Sequence, residues 1–184
     1  MEKKIKTLGS LTAGPMQVFL DQVDLADGQN KLRIKIEYPE AAALLAFLDR
    51  DHVLLVRQFR YAVGHETLEI PAGKVDPGED PAASALRELR EETGYRAEKL
   101  EPLFTYYPAV GYSSEKLTLF AAAGLVRCSE IEDQAEIAAV EKWRISDVLD
   151  WIHSGRIIDA KTALGIMACT SGKAAGWLSE VFPE

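Results

Sequence analysis

Glu88, Glu91 and Glu92 stand at i, i+3 and i+4 in the run GKVDPGEDPAASALRELREETGY, residues 73–95. On an α-helix those positions share a face, so three carboxylates crowd onto about one turn. Like charges at this spacing destabilise an isolated helix by a few tenths of a kcal/mol per pair, roughly. A positive partner must gather them, and a hard divalent cation with oxygen ligands is the natural candidate. Arg87, next to the first of them, presents a planar fork that can hold a carboxylate through two bonds and tie the preceding loop to the helix.

The helix that would carry these groups has clear punctuation. Asp80 is an N-cap, Pro81 suits the first helical position, and Gly94 suits a left-handed C-cap. Ala82, Ala85, Leu86 and Leu89 form its apolar side. Upstream, Met16 to Val23 reads as a strand, Asp27-Gly28 as a hairpin turn, and Lys31 to Tyr38 as a half-buried strand in which Leu32, Ile34 and Ile36 alternate with charged residues. Residues 1–15 carry turn material at Gly9-Ser10 and Gly14-Pro15, with no strand assigned. Ala42 to Leu48 and His52 to Phe59 read as central strands around a turn at 49–51. Thr67 to Ile70 is a short strand running into a tight loop, Pro71-Ala72-Gly73. Lys99 to Tyr106, Lys116 to Ala123 and Ile137 to Trp143 are further strands. Ser146 is expected to cap a helix reaching His153, and Asp159 to cap a final helix from Ala160 to about Cys169. In that helix Ala163, Leu164, Ile166 and Met167 would pack on the sheet. This order predicts an α/β (α+β) fold in which a mixed sheet carries helices on both faces.

Composition bounds the rest. The chain has 184 residues and 47% apolar residues, enough for one domain with a full core. A net charge of −8 argues against a nucleic-acid partner held through its phosphates. No stretch of about 18 apolar residues is present, so no membrane span is expected, and no signal peptide is visible at the N-terminus. Two cysteines, Cys128 and Cys169, have no metal-ligand spacing and suit a reducing cytoplasm. His52, His65 and His153 share no ligand spacing either.

Gly73, Glu79, Arg87, Glu88, Leu89, Glu91, Glu92, Gly94 and Tyr95 together resemble the signature box of the Nudix hydrolases, a match with a chance probability of about 10⁻⁸ per start position. Tyr95 stands where the family more often has an aliphatic residue. The resemblance implies an α-β-α sandwich and a pyrophosphohydrolase. It also implies a metal shell of the Ala72 carbonyl, Glu88, Glu91 and Glu92 around Mg²⁺, with Mn²⁺ as a substitute. Glu79 and Arg87 would orient that site, while Glu91, Glu92 and Arg87 count among its catalytic machinery.

Gln58-Phe59-Arg60 and Glu69-Ile70-Pro71-Ala72-Gly73 resemble the branch that hydrolyses ADP-ribose and other nucleoside diphosphate sugars. The resemblance marks Arg60, Arg57 and Glu69 for substrate binding. Gly111, Ser113, Ser114 and Glu115 match the branch's substrate loop, which adds Gly111 and Glu115. The branch has proline directly before that glycine, where this chain has Val110. Glu136 falls where the family places a general base, with Glu132 as second choice. Asp159-Ala160-Lys161-Thr162 matches a further branch element, expected to serve helix start and packing. Residues 1–38 would be N-terminal strands contributing to a homodimer, and 39–184 the Nudix hydrolase domain. The expected reaction is Mg²⁺-dependent cleavage of ADP-ribose to AMP and ribose 5-phosphate. Hydrolysis of nucleoside triphosphates or dinucleoside polyphosphates is the alternative, and a non-catalytic nucleotide-sugar sensor a third reading.

Overall fold

A computed structural model describes residues 1–170 and 172–183, so position 184 of the expected hydrolase domain lies outside it. The chain divides into two compact units: residues 1–40 with 106–117, and residues 41–105 with 118–184.

In the first unit, β1 (Lys3–Ala13), β2 (Met16–Asp24) and β3 (Asn30–Glu37) form an antiparallel sheet in that order. Gly14, with φ 57°, permits the two-residue turn between β1 and β2. The strand β1 was not expected from sequence. Its residues are all exposed, so no period-two burial marks it, and two register irregularities flank its middle. The alternation expected to half-bury β3 does not do so: Leu32 and Ile34 are each 57% exposed. The segment after residue 106 joins this unit through Ile36, whose N–H donates to the Tyr112 carbonyl (2.7 Å) and whose carbonyl accepts from the Ser114 N–H (2.8 Å).

In the second unit, β4 (Ala41–Asp49) and β5 (His52–Arg60) form an antiparallel pair at the centre of a mixed seven-stranded sheet. The remaining strands are β6 (His65–Glu69), β7 (Ala72–Lys74), β9 (Lys99–Tyr106), β10 (Leu117–Ala123) and β12 (Ile137–Arg144). The sheet runs β12-β5-β4-β10-β9, with β6 paired to β5 and β7 to β4. The short strands β8 (Tyr95–Arg96) and β11 (Val126–Arg127) pair separately. Where a tight loop was expected, Ala72 and Gly73 are the start of β7, because three residues are enough to bond to the edge of β4 at Ala41–Ala43.

Helices cover both faces of this sheet, and the alternation of β4 shows how. Ala42, Leu44 and Ala46 pack with Ala85 and Leu89 of α1 (Pro81–Thr93). The opposite face receives Leu45, which lies beneath Gly165 of α3 (Ala160–Cys169), and Phe47, whose ring is 6.5 Å from Trp177 of α4 (Gly172–Val181). All five β4 residues are fully buried, so both faces of one strand are core. Burial of Leu89 alone contributes about 1.5–3 kcal/mol.

The helix ends differ in part from expectation. Asp80 caps α1, accepting from the Ala82 N–H at 2.7 Å, and Asp159 caps α3. The helix α2 (Ile145–His153) begins one residue before Ser146, with Arg144 at the cap position and no side-chain cap bond. Ser146 instead bonds Asp147, and the Ile145 N–H is taken by the Asp51 carbonyl. In α3 the buried face is Thr162, Gly165, Ile166 and Cys169, while Leu164 and Met167 are exposed. Packing against Leu45 requires the small Gly165 inward, which turns those two side chains out. Nor is α3 the final helix, since α4 follows.

Gly94 ends α1 with φ 76°, and a Cβ built there would lie 2.5 Å from the Ser129 carbonyl oxygen. Gly94→Ala is therefore expected to lower the unfolding free energy by about 1–3 kcal/mol. Urea unfolding of the variant against wild type checks this.

Candidate active site: a carboxylate cluster held by Arg87

The guanidinium of Arg87 organises the acidic residues. Its Nε and one terminal nitrogen donate to the two oxygens of Glu79 (3.1 and 3.0 Å), a bidentate pair. The other terminal nitrogen donates to Glu88 (2.7 Å) and Glu91 (3.0 Å). The Lys74 carbonyl (3.0 Å) and Ser84 Oγ (3.2 Å) complete the set. One cation thus joins the loop before α1, the end of β7 and two turns of the helix. Arg87 hydrogen bonding, aided by the Asp76 N–H, brings the Glu79 carboxyl down to about 2.

Glu88 and Glu92 lie deeper. The Glu88 carboxyl rests against the Cα face of Gly73, where a Cβ would come within 2.0 Å of its carboxyl carbon. Any side chain at this position would displace the carboxyl from where Arg87 holds it. Burial raises the Glu88 pKa against the pull of Arg87, and the charges of Glu91 and Asp133 add to the rise. Glu92 is 5% exposed and accepts the Ala72 N–H at 3.0 Å. Burial pushes its carboxyl up to about 8; the Ala72 N–H opposes this and the Glu88 charge reinforces it. Arg60 and Lys161 are close enough for their charges to oppose it as well.

Among the described residues, no three carboxylate, imidazole or thiol groups close on one point as metal ligands. Glu88 gives one oxygen to Arg87, and Glu92 gives one to the Ala72 N–H. The second oxygen of each takes no hydrogen bond among the described residues. Two half-used carboxylates, both raised by burial, are hard donors that suit a divalent cation.

The residues marked for substrate recognition have different settings. Glu69 is 2% exposed and receives both Arg60 Nε (2.7 Å) and a terminal Arg60 nitrogen (2.6 Å), together with Lys161 and Thr67 Oγ1. Burial would raise Glu69, but Arg60 and Lys161 outweigh it and bring the carboxyl down to about 2. Arg57 is paired with Glu141 at 2.6 Å, and Glu141 also accepts from Trp143 Nε1. Gly111 and Glu115 belong to the first unit, where Gly111 is exposed and the Glu115 N–H donates to Ser113 Oγ.

The loop before β12 docks on the end of α1. The N–H groups of Glu132 and Asp133 both donate to the Glu91 carbonyl (2.9 and 3.2 Å), and those of Cys128 and Ser129 to the Gly94 carbonyl. Glu132 is ion-paired with Arg90. Glu136 is exposed, and its carboxylate takes no hydrogen bond or ion pair among the described residues. Asp133, half-buried, is the acid of this loop whose charge acts on Glu88. Sequence reading passed over it: an Asp in an acidic loop carries no signal, and only docking on Glu91 turns it inward.

The NUDIX domain family model matches residues 37–161, more than half of the chain, which therefore belongs to the Nudix family. The ADP-ribose pyrophosphatase of Bacillus subtilis is 35% identical over 90% of each chain. The methanol dehydrogenase activator of Bacillus methanolicus is 34% identical, again over 90% of each. The ADP-ribose pyrophosphatase of Mycobacterium tuberculosis is 30% identical over 91% of this chain and 84% of its own. A crystal structure of an ADP compounds hydrolase superposes with a TM-score of 0.78 at 23% identity, covering 97% of this chain and 96% of that one, a likeness of fold.

The raised Glu92 carboxyl gives a signed prediction for metal-free protein. Its folded pKa of about 8 exceeds the ordinary 4.5, so the folded state holds the extra proton between those values. Stability therefore falls as pH rises through that window. Glu92→Gln removes the loss, and its gain over wild type should be absent near pH 4 and greatest above pH 8. Denaturant unfolding in chelating buffer across that range checks it.

Proposed function

We propose that this Nudix protein hydrolyses the diphosphate of nucleoside diphosphate sugars, with ADP-ribose favoured and AMP and ribose 5-phosphate as products. The observation that carries the reading is the carboxylate cluster on α1 beside β7, in which Arg87 holds Glu88 and Glu91 and the Ala72 N–H holds Glu92. The ADP-ribose pyrophosphatases at 35% and 30% identity support the substrate class.

Glu88, Glu91, Glu92 and the Ala72 carbonyl would hold Mg²⁺, or Mn²⁺ in its place. Such an ion supplies charge neutralisation at the diphosphate and eases deprotonation of water. Arg87 keeps Glu88 and Glu91 oriented. Glu136, with no cation on its carboxylate among the described residues, accepts the proton of the attacking water as general base. The water oxygen bonds to one phosphorus, and the bridging oxygen departs with the other phosphate. Arg60 and Arg57 face the nucleotide, with Glu69 fixing Arg60, and Gly111 and Glu115 form the substrate loop. A cytoplasmic setting fits two free thiols, one of them Cys169, whose pKa burial pushes up to about 12. Among the described residues no helix is long and apolar enough to cross a membrane.

The first unit would pair two copies of the chain. Ile5, Leu8, Leu11, Leu32 and Ile34 are 48–64% exposed on its sheet, more apolar surface than a solitary sheet leaves in water. Sedimentation equilibrium is expected to return twice the chain mass of 20.3 kDa, and a monomer at micromolar concentration would contradict the pairing.

A substrate panel with product identification tests the reaction. ADP-ribose with Mg²⁺ should yield AMP and ribose 5-phosphate, and no product without the ion. Glu92→Gln and Glu136→Gln should each reduce kcat by about 10²–10⁴ with the fold intact by circular dichroism. Pyrophosphate release from nucleoside triphosphates, with ADP-ribose untouched, would move the assignment to the alternative substrate class.

A further inference from the structure

Asp159, Lys161 and Thr162 begin α3, which packs on the sheet face opposite α1, yet Lys161 and Thr162 reach the segment that leads into the carboxylate cluster, and Asp159 bonds both. Thr162 is fully buried, and its Oγ1 accepts the Ile70 N–H at 2.9 Å while donating to Asp159 Oδ2 at 2.6 Å. Asp159 also accepts the Thr162 N–H at 3.0 Å, so the helix cap and this link share one carboxylate. Lys161, with a side chain 10% exposed, bonds Glu69 and pairs with Asp159 at 3.1 Å.

Every residue from Glu69 to Ala72 is consequently held. Arg60 and Lys161 donate to the Glu69 carboxylate, Thr162 Oγ1 accepts the Ile70 N–H, the Leu44 N–H donates to the Pro71 carbonyl (3.0 Å), and Glu92 accepts the Ala72 N–H. The two middle contacts fix the height of the chain over β4. The outer two come from opposite faces of the sheet. Ala72 and Gly73 define where Glu92 and Glu88 can lie, so a shift of this segment displaces both carboxylates.

We propose that Lys161 and Thr162 are positioning residues of the hydrolytic site, setting through Glu69 and Ile70 the placement of Ala72 and Gly73 against Glu92 and Glu88. This inference rests on the hydrolase reading above, and its test has a readout independent of turnover. The bonds at stake are directional and buried. Loss of the Thr162 hydroxyl leaves the Ile70 N–H unsatisfied, and loss of the Lys161 ammonium leaves the Glu69 charge to Arg60, with only the neutral Thr67 hydroxyl beside it.

The variants are Thr162→Val, Thr162→Ser and Lys161→Met. Each is measured for kcat and KM on ADP-ribose with Mg²⁺, and for amide hydrogen exchange in the metal-free protein. In Thr162→Val and Lys161→Met, kcat is expected to fall about tenfold to a hundredfold with KM within about threefold, the mark of displaced reacting groups rather than lost binding. Exchange at Ile70 and Ala72 should quicken by about tenfold or more while Leu55 and Val56 of β5 keep their protection. Thr162→Ser, which keeps the hydroxyl, should restore both readouts. Unchanged exchange at Ile70 and Ala72, or a uniform rise that includes β5, overturns the proposal in favour of plain structural support. If Thr162→Val does not fold, Lys161→Met decides by the same criteria. If the wild type leaves ADP-ribose intact, the substrate reading fails, and the exchange pattern still decides whether α3 holds the segment.

Discussion

A single guanidinium reconciles the conflict built into this site. Hydrolysis of a diphosphate calls for several carboxylates close together, and close carboxylates repel. Arg87 meets three of them at once and adds a main-chain carbonyl and a hydroxyl, so one cation offsets much of the repulsion in the cluster. Its reach decides the shape of the loop between β7 and α1, because Glu79 must return to it from the far side of Pro77-Gly78. A lysine at that position, with one point of charge, could not grip Glu79 by both oxygens and still reach Glu88.

Around that hub the two faces of the sheet act together. From one side α1 contributes Glu88, Glu91, Glu92 and the Arg87 bond to the Lys74 carbonyl. From the other, α3 holds Glu69 and Ile70. The short segment between them lies against β4, whose side chains are core on both faces. Rigidity of the site thus derives from packing of the whole second unit. The carboxylates themselves divide into classes by surroundings. Glu79 and Glu69, each gripped by arginine, titrate near 2, whereas Glu92, buried without such a partner, is raised to about 8. The contrast between ordinary glutamates comes from burial and from the cation each one meets.

Much of this was legible in the chain itself. Asp80, Pro81 and Gly94 bound α1 because caps are chemistry of a few adjacent residues, and the i, i+3, i+4 spacing placed the acids together because helical geometry is fixed. The central strands followed from alternating apolar runs. The strand β1 was not legible, since an exposed strand with Gly9-Ser10 in it has no burial pattern to read. The inward face of α3 was misjudged because Gly165, not the larger Leu164 or Met167, meets Leu45, a choice made by space on the sheet. Likewise Ser146 gave way to Arg144 as the cap because Asp51, from another part of the chain, takes the first N–H of α2.

Sequence by itself determined the family, the acidic helix and its ends, since these depend on residue type and short spacing. Tertiary structure alone decided which carboxylates stay free. Glu132 is tied to Arg90, Glu69 is enclosed by Arg60 and Lys161, Asp133 acts on Glu88, and Glu136 meets no cation among the described residues. It also decided what Gly73 does, for the reason that a carboxylate fifteen residues later lies where a side chain would be and would be displaced by one. Such facts arise from approach between distant segments, and burial and charge pairing are properties of that approach rather than of any residue's name.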